Sequence, residues 1–217
     1  MSTFTIRVTS SAINVGGTSY GQQPDLGAPS FWDVVVTGST DPLLPNGRYD
    51  AYCLDITLPI KVDPTAYNAV ALDGQPVASY NQIGLSSLTQ VQVDQINWLL
   101  SQNFTSDTKY GGQYNFGEVQ VAIWKIVGFT DAQIGNPNDS RLVTDNFRNV
   151  VDSGDINFLV SSSQAAVASG QGVKPVDTFF STIIDPDGNI QPLVVQLQSA
   201  KLGNYVWLDS DGDGLMA

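Results

Sequence analysis

Two short stretches of this chain, Tyr52-Cys53-Leu54-Asp55 and Glu118-Val119-Gln120-Val121-Ala122-Ile123-Trp124, decide how the remaining sequence is interpreted. Cys53 is the single cysteine among 217 residues, which excludes an intramolecular disulfide. Any covalent chemistry of its thiol therefore needs another kind of partner group. The side-chain amide of Gln120 is our candidate for that partner.

The segment from Arg48 to Ile60 predicts a strand that carries the cysteine. Tyr52 and Leu54 alternate onto an apolar face of this strand. Cys53 and Asp55 share the opposite face, which is the less apolar of the two. The thiol is thus predicted to lie beside a carboxylate.

The segment from Asn115 to Val127 predicts a helix that carries the glutamine. Asn115 stands in the N-cap position, Glu118 completes a capping box, and Gly128 follows the last turn. On such a helix Gln120 lies on an apolar face, where a buried amide requires a hydrogen-bond partner. The β-branched residues of the segment also allow a strand, and this alternative stays open from the sequence.

In their order along the chain, these motifs resemble the thioester domain of bacterial surface adhesins. The resemblance covers residues Asp50 to Leu197 and includes a helix like Ile96-Asn97-Trp98-Leu99-Leu100 between the two stretches. In that family a cysteine thiol and a glutamine side chain form an internal thioester. Cys53 matches the family's cysteine, Gln120 its glutamine and Trp124 the aromatic residue four positions later. The motifs are also similar to those of some secreted proteins sorted by exosortase systems.

One position departs from the family pattern. The residue before the glutamine is most often threonine in the family, whereas this chain has Val119. The difference leaves the two reacting groups unchanged.

The resemblance implies a covalent adhesin domain and not an enzyme with turnover. An amine on a surface protein or on another amine-bearing ligand, such as a lysine side chain, attacks the carbonyl carbon of Gln120. This attack releases the Cys53 thiol and leaves an amide crosslink, once per molecule. The resemblance further implies an extracellular, cell-surface location, with the domain acting as a monomer within a longer surface protein.

Further residues are assigned roles around the bond. The chain has no histidine, so Asp55, on the thiol's strand face, is the candidate for proton transfer. A thioester also needs protection from water until its target arrives. Tyr52, Trp124, Tyr114 and Phe116 are the candidates for that shielding.

Other interpretations stay open at this point. The chain fits a non-covalent structural or carbohydrate-binding module of an exported protein, with an unreacted buried thiol and with Trp98 or Trp124 packing or stacking on sugar. An intramolecular isopeptide bond would have Lys61, Lys125 and Lys174 available. A hydrolase is disfavoured because the sequence has no nucleophile elbow, zinc motif or histidine.

The charge balance narrows the range of partners. The chain carries 21 acidic residues against 9 Lys and Arg, which gives a formal net charge of −12. Such a surface repels phosphate backbones and anionic lipids, so we expect no nucleic-acid partner. The sequence has neither a recognisable secretion signal at its N-terminus nor an apolar run of about 20 residues, so we expect no membrane insertion.

The pattern of elements predicts an α+β fold, with a β-sandwich or barrel framework and an inserted helical subdomain at about residues 89–170, all within one domain of residues 1–200. Strands are predicted at Phe4 to Val8, Phe31 to Val36, Thr178 to Ile184 and Ile190 to Leu197, the last two as a hairpin. Further helices are predicted from the N-cap Thr89, over Asp139 to Val151, and over Asp155 to Ser169 with Gly170 at the end. Irregular loops are predicted over Gly16 to Pro29 and Lys61 to Ser87, and a turn over Asp41 to Gly47.

Residues 201–217 are interpreted as the truncated start of a following β-repeat or stalk domain. The run from Leu202 to Gly214 resembles the opening strand and calcium loop of the B-type repeats of serine-aspartate-repeat surface proteins. Asp209, Asp211 and Asp213 have the alternate spacing that places oxygen ligands around calcium. The bidentate acid that completes such a loop is not reached before Ala217. We therefore expect no cofactor, with calcium left open only at this incomplete site.

Overall fold

The structure is a computed structural model, and it describes residues 3–10, 13–15, 18–20, 31–42, 44–58, 66–71, 88–102, 104, 114, 116–134, 152–170, 178–183 and 192–196. In chain order its elements are β1 (Thr3–Ser10), β2 (Ile13–Val15), β3 (Thr18–Tyr20), β4 (Phe31–Thr37), β5 (Gly47–Cys53), β6 (Ala66–Ala71), α1 (Gln90–Ser101), α2 (Phe116–Val127), α3 (Asp131–Ile134), α4 (Ser153–Ala168), β7 (Thr178–Ile183) and β8 (Leu193–Gln196).

Six strands close into an antiparallel barrel in the order β1-β4-β5-β8-β7-β6. Ile6 of β1 shows the closure, because it lies opposite Val36 of β4 on one side and Tyr67 of β6 on the other. Closing the sheet removes the unpaired edges that an open sheet would expose. The predicted α+β class is confirmed, and of the two predicted frameworks the chain adopts the barrel.

Two predictions about strands and loops are wrong in part. The loop predicted over Lys61 to Ser87 contains β6, in which Tyr67 and Ala69 alternate inward and Asn68 outward. This strand forms because it pairs with both β1 and β7, although Ala and Asn are poor strand formers. The loop predicted over Gly16 to Pro29 likewise contains β3, which pairs with β2.

The strand predicted over Arg48 to Ile60 is shorter than expected. It ends at Cys53, and the chain turns at Ile56 and Thr57. The turn forms because Asp55 Oδ1 accepts hydrogen bonds from the backbone N–H and the hydroxyl of Thr57, both at 2.7 Å. Asp55 therefore lies beyond the strand and not on its Cys53 face.

The predictions of α1 and α2 as helices are confirmed. α1 begins after Thr89, whose hydroxyl and backbone form a capping box with Gln92. α2 is a helix, so the alternative of a strand is wrong, and it ends before Gly128, whose φ of 115° suits glycine.

Two helical regions differ from expectation. α4 starts at Ser153, two residues before the predicted start at Asp155, because Asp152 is its N-cap. The short helix α3 was not predicted. The helix predicted over Asp139 to Val151 and the N-cap Asn115 lie outside the described residues. In the described part, no helix combines the length and hydropathy that crossing a bilayer requires.

The core consists of two clusters of apolar side chains that meet at β5. Ala51 and Cys53 belong to the barrel cluster, formed by the inward-facing residues of the strands. Tyr52 belongs to the helix-side cluster, which packs the opposite face of β5 against α1, α2 and α4. The face of Cys53 was predicted to be the less apolar one, and this is wrong because the barrel interior encloses it. α2 contributes to both clusters, with Trp124 in the barrel cluster and Ile123 in the helix-side cluster.

Gln92 of α1 joins two helix ends through one side-chain amide. Its Oε1 accepts from the Thr89 backbone N–H at 2.8 Å, at the start of α1. Its Nε2 donates to the carbonyl oxygens of Ile126 and Val127, at 2.8 and 3.0 Å, at the end of α2. These are backbone groups that a helix cannot satisfy by itself.

We expect Gln92→Ala to lower the free energy of unfolding by about 2 kcal/mol, because it removes a cap from both helices. Urea unfolding monitored by circular dichroism measures this change. The matched control is Gln90→Ala on the same helix. Among the described residues the Gln90 amide bonds only to Asp94, in its own helix, a contact worth about 0.2–0.5 kcal/mol. Equal effects of the two substitutions would show that Gln92 does not fasten α1 to α2.

Candidate functional site

Cys53 occupies the last position of β5, with its side chain inside the barrel cluster. None of its surface reaches solvent, and the same holds for its neighbours Tyr52 and Leu54. The strand places the two neighbours on the helix side and the thiol on the barrel side. The thiol thus lies in an apolar interior at the end of a strand.

The amide of Gln120 is bonded to the backbone of Cys53 at both of its polar ends. The Cys53 N–H donates to Gln120 Oε1 at 2.8 Å, and Gln120 Nε2 donates to the Cys53 carbonyl oxygen at 2.8 Å. Gln120 is also fully buried, on α2, and lies 67 positions further along the chain. The structure therefore brings together the two residues that the sequence selected.

This pair has the form of a β-ladder contact. The next residue, Leu54, donates its N–H to the Pro192 carbonyl oxygen just before β8, at 3.0 Å. Because backbone groups alternate in direction along a strand, those of Cys53 point to the opposite edge, the side of β4. The pairing of β4 with β5 reaches Phe31, opposite Tyr52. Beyond that pair the Gln120 amide provides the donor and the acceptor that a strand neighbour would provide.

α2 is held in position at its first turn by two contacts. The ring of Phe116, its first residue, stacks on Tyr52 with a centroid separation of 6.0 Å and an interplanar angle of 20°. Glu118 is buried, and its Oε1 accepts from the backbone N–H of Asp152 at the start of α4, at 3.0 Å. Together with the Gln92 contact at the far end, these interactions fix the helix that carries Gln120.

Trp124 lies one helical turn after Gln120 and is fully buried. Helical side chains lean toward the N-terminus, so its ring covers the turn that contains Gln120. It belongs to the same cluster as Cys53. Within the part of the chain that the structure describes, its indole Nε1 has no hydrogen-bond partner.

The predicted shielding residues are buried where they can be described. Tyr52 and Phe116 cover the helix side of β5. Tyr114 belongs to the same cluster, with its ring edge-on to Phe104 at 5.2 Å and stacked on Phe158 at 5.8 Å. These rings form an apolar wall behind the strand that ends at Cys53, as a water-excluding site requires.

The side chains of Asp55, after Cys53 in the chain, and Tyr49, before it, form local hydrogen bonds. Asp55 is partly exposed, and its Oδ1 accepts two bonds from Thr57. Its part in proton transfer stays a prediction. On the preceding side, the Tyr49 hydroxyl donates to the Pro45 carbonyl oxygen, and burial raises the pKa of Tyr49 above its ordinary value of 10.0.

Several predicted residues cannot be placed. The calcium candidates Asp209, Asp211 and Asp213 lie outside the described residues, as does all of 201–217. Among the residues that are described, no group of three or more acidic, cysteine or histidine side chains could hold a metal ion. Of the lysines named for an isopeptide bond, Lys125 forms an ion pair with the exposed Asp131 at 2.7 Å.

One component of the site was missed from the sequence. We predicted that the buried Gln120 amide needs a partner but did not identify the Cys53 backbone as that partner. Every residue except proline has both of these backbone groups, so the residue type at position 53 does not signal them. The position of the strand end was the available signal. If the strand is predicted to end at Cys53, its buried N–H and carbonyl oxygen need hydrogen-bond partners from a side chain.

We expect Gln120→Ala to destabilise the fold far more than Cys53→Ala. The first substitution removes two hydrogen bonds from buried backbone groups of Cys53, at about 1–3 kcal/mol each. The second keeps both backbone groups in place and removes about 1 kcal/mol of apolar burial. Neither variant can form a Cys53–Gln120 bond, so the difference between their unfolding free energies reports the two hydrogen bonds together with the packing of the buried Gln120 side chain. Equal losses of stability would contradict this assignment.

Comparisons with known proteins give a limited result. No protein-family model matches this chain, and no curated protein matches it significantly in sequence. A structural match was found with the N-terminal domain of the Streptococcus pyogenes pilus tip adhesin Cpa, at 15% identity and a TM-score of 0.45. The match covers 89% of this chain and 92% of the adhesin domain.

Proposed function

We propose that this chain is a covalent surface-adhesin domain, in which Cys53 Sγ and Gln120 Cδ form an internal thioester that captures an amine on a target. One observation carries the proposal: the Gln120 amide is held on the Cys53 backbone by two hydrogen bonds of 2.8 Å, in a site without solvent access. The motif resemblance described above names the same two residues.

The bond-forming step is balanced without a co-reactant. Cys53 Sγ attacks Cδ of Gln120, and the carbonyl electron pair moves to Oε1. When that pair returns, the C–N bond breaks and the nitrogen leaves as ammonia, carrying the proton that the thiol lost. The fold holds the Gln120 amide on the backbone of Cys53. Bringing Sγ and Cδ into reacting geometry from this arrangement would make effective molarities of about 10⁵–10⁸ M available, on the order of 7–11 kcal/mol of the barrier.

The backbone of Cys53 stabilises the developing oxyanion and orients the amide before the nitrogen leaves. Its N–H donates to Oε1, where negative charge develops in the tetrahedral intermediate. Its carbonyl oxygen accepts from Nε2, the atom that must leave. The barrel interior and the aromatic wall exclude water, which protects the thioester from hydrolysis.

Adhesion follows when an amine reaches the site. Its nitrogen attacks the thioester carbon, the C–S bond breaks, and the Cys53 thiol is released with one proton. The product is an amide between Gln120 and the target, such as a lysine of a surface protein, and each domain reacts once. This chemistry belongs at an extracellular surface, where the domain would act as a monomer within a longer protein.

A non-covalent structural module is the second candidate, and the same hydrogen bonds favour it. A buried amide that satisfies the last backbone groups of a strand is a sufficient structural role for Gln120. Cys53 would then stay a thiol packed in the barrel. Trp124 is fully buried and offers no face to a sugar, and Trp98 is only partly exposed and packs against Phe104.

Intact mass of the untreated protein under denaturing acidic conditions distinguishes the two candidates. For the adhesin we expect a mass lower than that of the sequence by one ammonia. Methylamine should replace this deficit with a methylamine adduct and release one titratable thiol. The control Cys53→Ala should have its full mass and should not react.

The opposite result is equally definite. Full mass and a thiol that titrates from the start, in protein prepared and kept at low pH, would leave the structural module as the function. A mass deficit that persists in Cys53→Ala would point to another bond, such as a lysine isopeptide.

A further inference from the structure

The indole N–H of Trp124 is a buried donor without an acceptor in the described part of the chain. The side chain has no exposed surface, and Nε1 has no acceptor among the described residues. Leaving such a donor unpaired costs about 1–3 kcal/mol, a cost that phenylalanine in the same place would avoid. An acceptor that becomes available only during the reaction would account for it.

The nearest reacting group has the matching capacity. A carbonyl oxygen can accept two hydrogen bonds, and among the described residues Gln120 Oε1 receives one, from the Cys53 N–H. Trp124 is four residues after Gln120 on α2, and its ring leans back over that turn. Donor and acceptor therefore lie on neighbouring positions of one helix face.

Forming the thioester moves the acceptor toward this donor. The Cys53 side chain belongs to the barrel cluster, as Trp124 does. To bond with Sγ, the amide carbon must shift from the strand edge toward the barrel side, and Oε1 shifts with it. The hydrogen bond from the Cys53 N–H to Oε1 can persist during this shift. Once the Sγ–Cδ bond has formed, that hydrogen bond closes a small ring through Cα, Cβ, Sγ and Cδ.

We propose that Trp124 is a catalytic residue of this site: its indole N–H donates to Gln120 Oε1 in the thioester and in the tetrahedral intermediates, as a second donor beside the Cys53 N–H. The inference rests on the proposed function. Oxyanion holes that use paired donors lose about 10²–10³ in rate when one donor is removed. The indole strengthens as a donor when charge appears on Oε1, in a site that excludes water.

The kinetic test follows the reaction of the thioester with methylamine by intact mass. We expect Trp124→Phe, and Trp124→benzothienylalanine, in which sulfur replaces the N–H within a ring of nearly the same shape, to slow the reaction about 10²-fold. The benzothienylalanine variant separates the lost donor from lost packing. The matched control Trp98→Phe, on α1, should react at the wild-type rate.

A spectroscopic test is independent of rate. The chain has four tryptophans, so four indole N–H signals are expected in a ¹H–¹⁵N spectrum, and their comparison with Trp124→Phe identifies that of Trp124. The Trp124 signal should move downfield and exchange more slowly in the thioester form than in Cys53→Ala. The Trp98 signal should not change.

The outcomes separate the two proposals. A wild-type protein without a thioester would overturn both. A thioester that forms, together with wild-type reactivity of the benzothienylalanine variant and an unchanged Trp124 signal, would overturn the role of the indole alone. If Trp124→Phe reacted slowly with methylamine while the benzothienylalanine variant reacted at the wild-type rate, the role of the indole would also be overturned. Lost packing would then explain the lower rate of Trp124→Phe.

Discussion

The arrangement of this protein depends on the pairing of one side-chain amide with one residue's backbone. Gln120 gives Cys53 both a donor and an acceptor, each at 2.8 Å, where the barrel ladder on the β4 side has passed Phe31. Without that amide, two buried backbone groups at the end of β5 would each lose a hydrogen bond. The barrel and the helical layer are therefore connected by polar contacts as well as by packing.

The elements around α2 hold the helix that carries the Gln120 side chain. Gln92 holds the end of α2, Glu118 ties its first turn to α4, and Phe116 stacks on Tyr52 of β5. Each contact reaches a different element, so α2 cannot rotate or slide without breaking at least one of them. Reactions between groups held in place are sensitive to displacements of about 1 Å. The three contacts limit such displacements of α2.

Local signals in the sequence were sufficient for the starts or ends of α1 and α2, whereas Cys53 and Gln120 were selected from the motifs that resemble the thioester domain. Thr89 with Gln92, and Gly128 after α2, act over a single helical turn and are readable from neighbouring residues. The strand β6 was missed because its pairing with β1 and β7 depends on residues far away in sequence. The end of β5 was missed because Asp55 binding to Thr57 outweighs the apolar alternation.

The bidentate contact also determines what Gln120 can become. A primary amide can hold both Cys53 groups because it has an N–H on the same side as its oxygen. In an N-substituted amide of trans geometry the substituent occupies that position, and the cis form costs about 2.5–4 kcal/mol. An N-alkylated Gln120 amide therefore cannot re-form both hydrogen bonds with the Cys53 backbone. Reaction of the thioester with ammonia would regenerate the primary amide, which can form both. Attachment of an amine to Gln120 would therefore permanently alter the contact between the barrel and the helices.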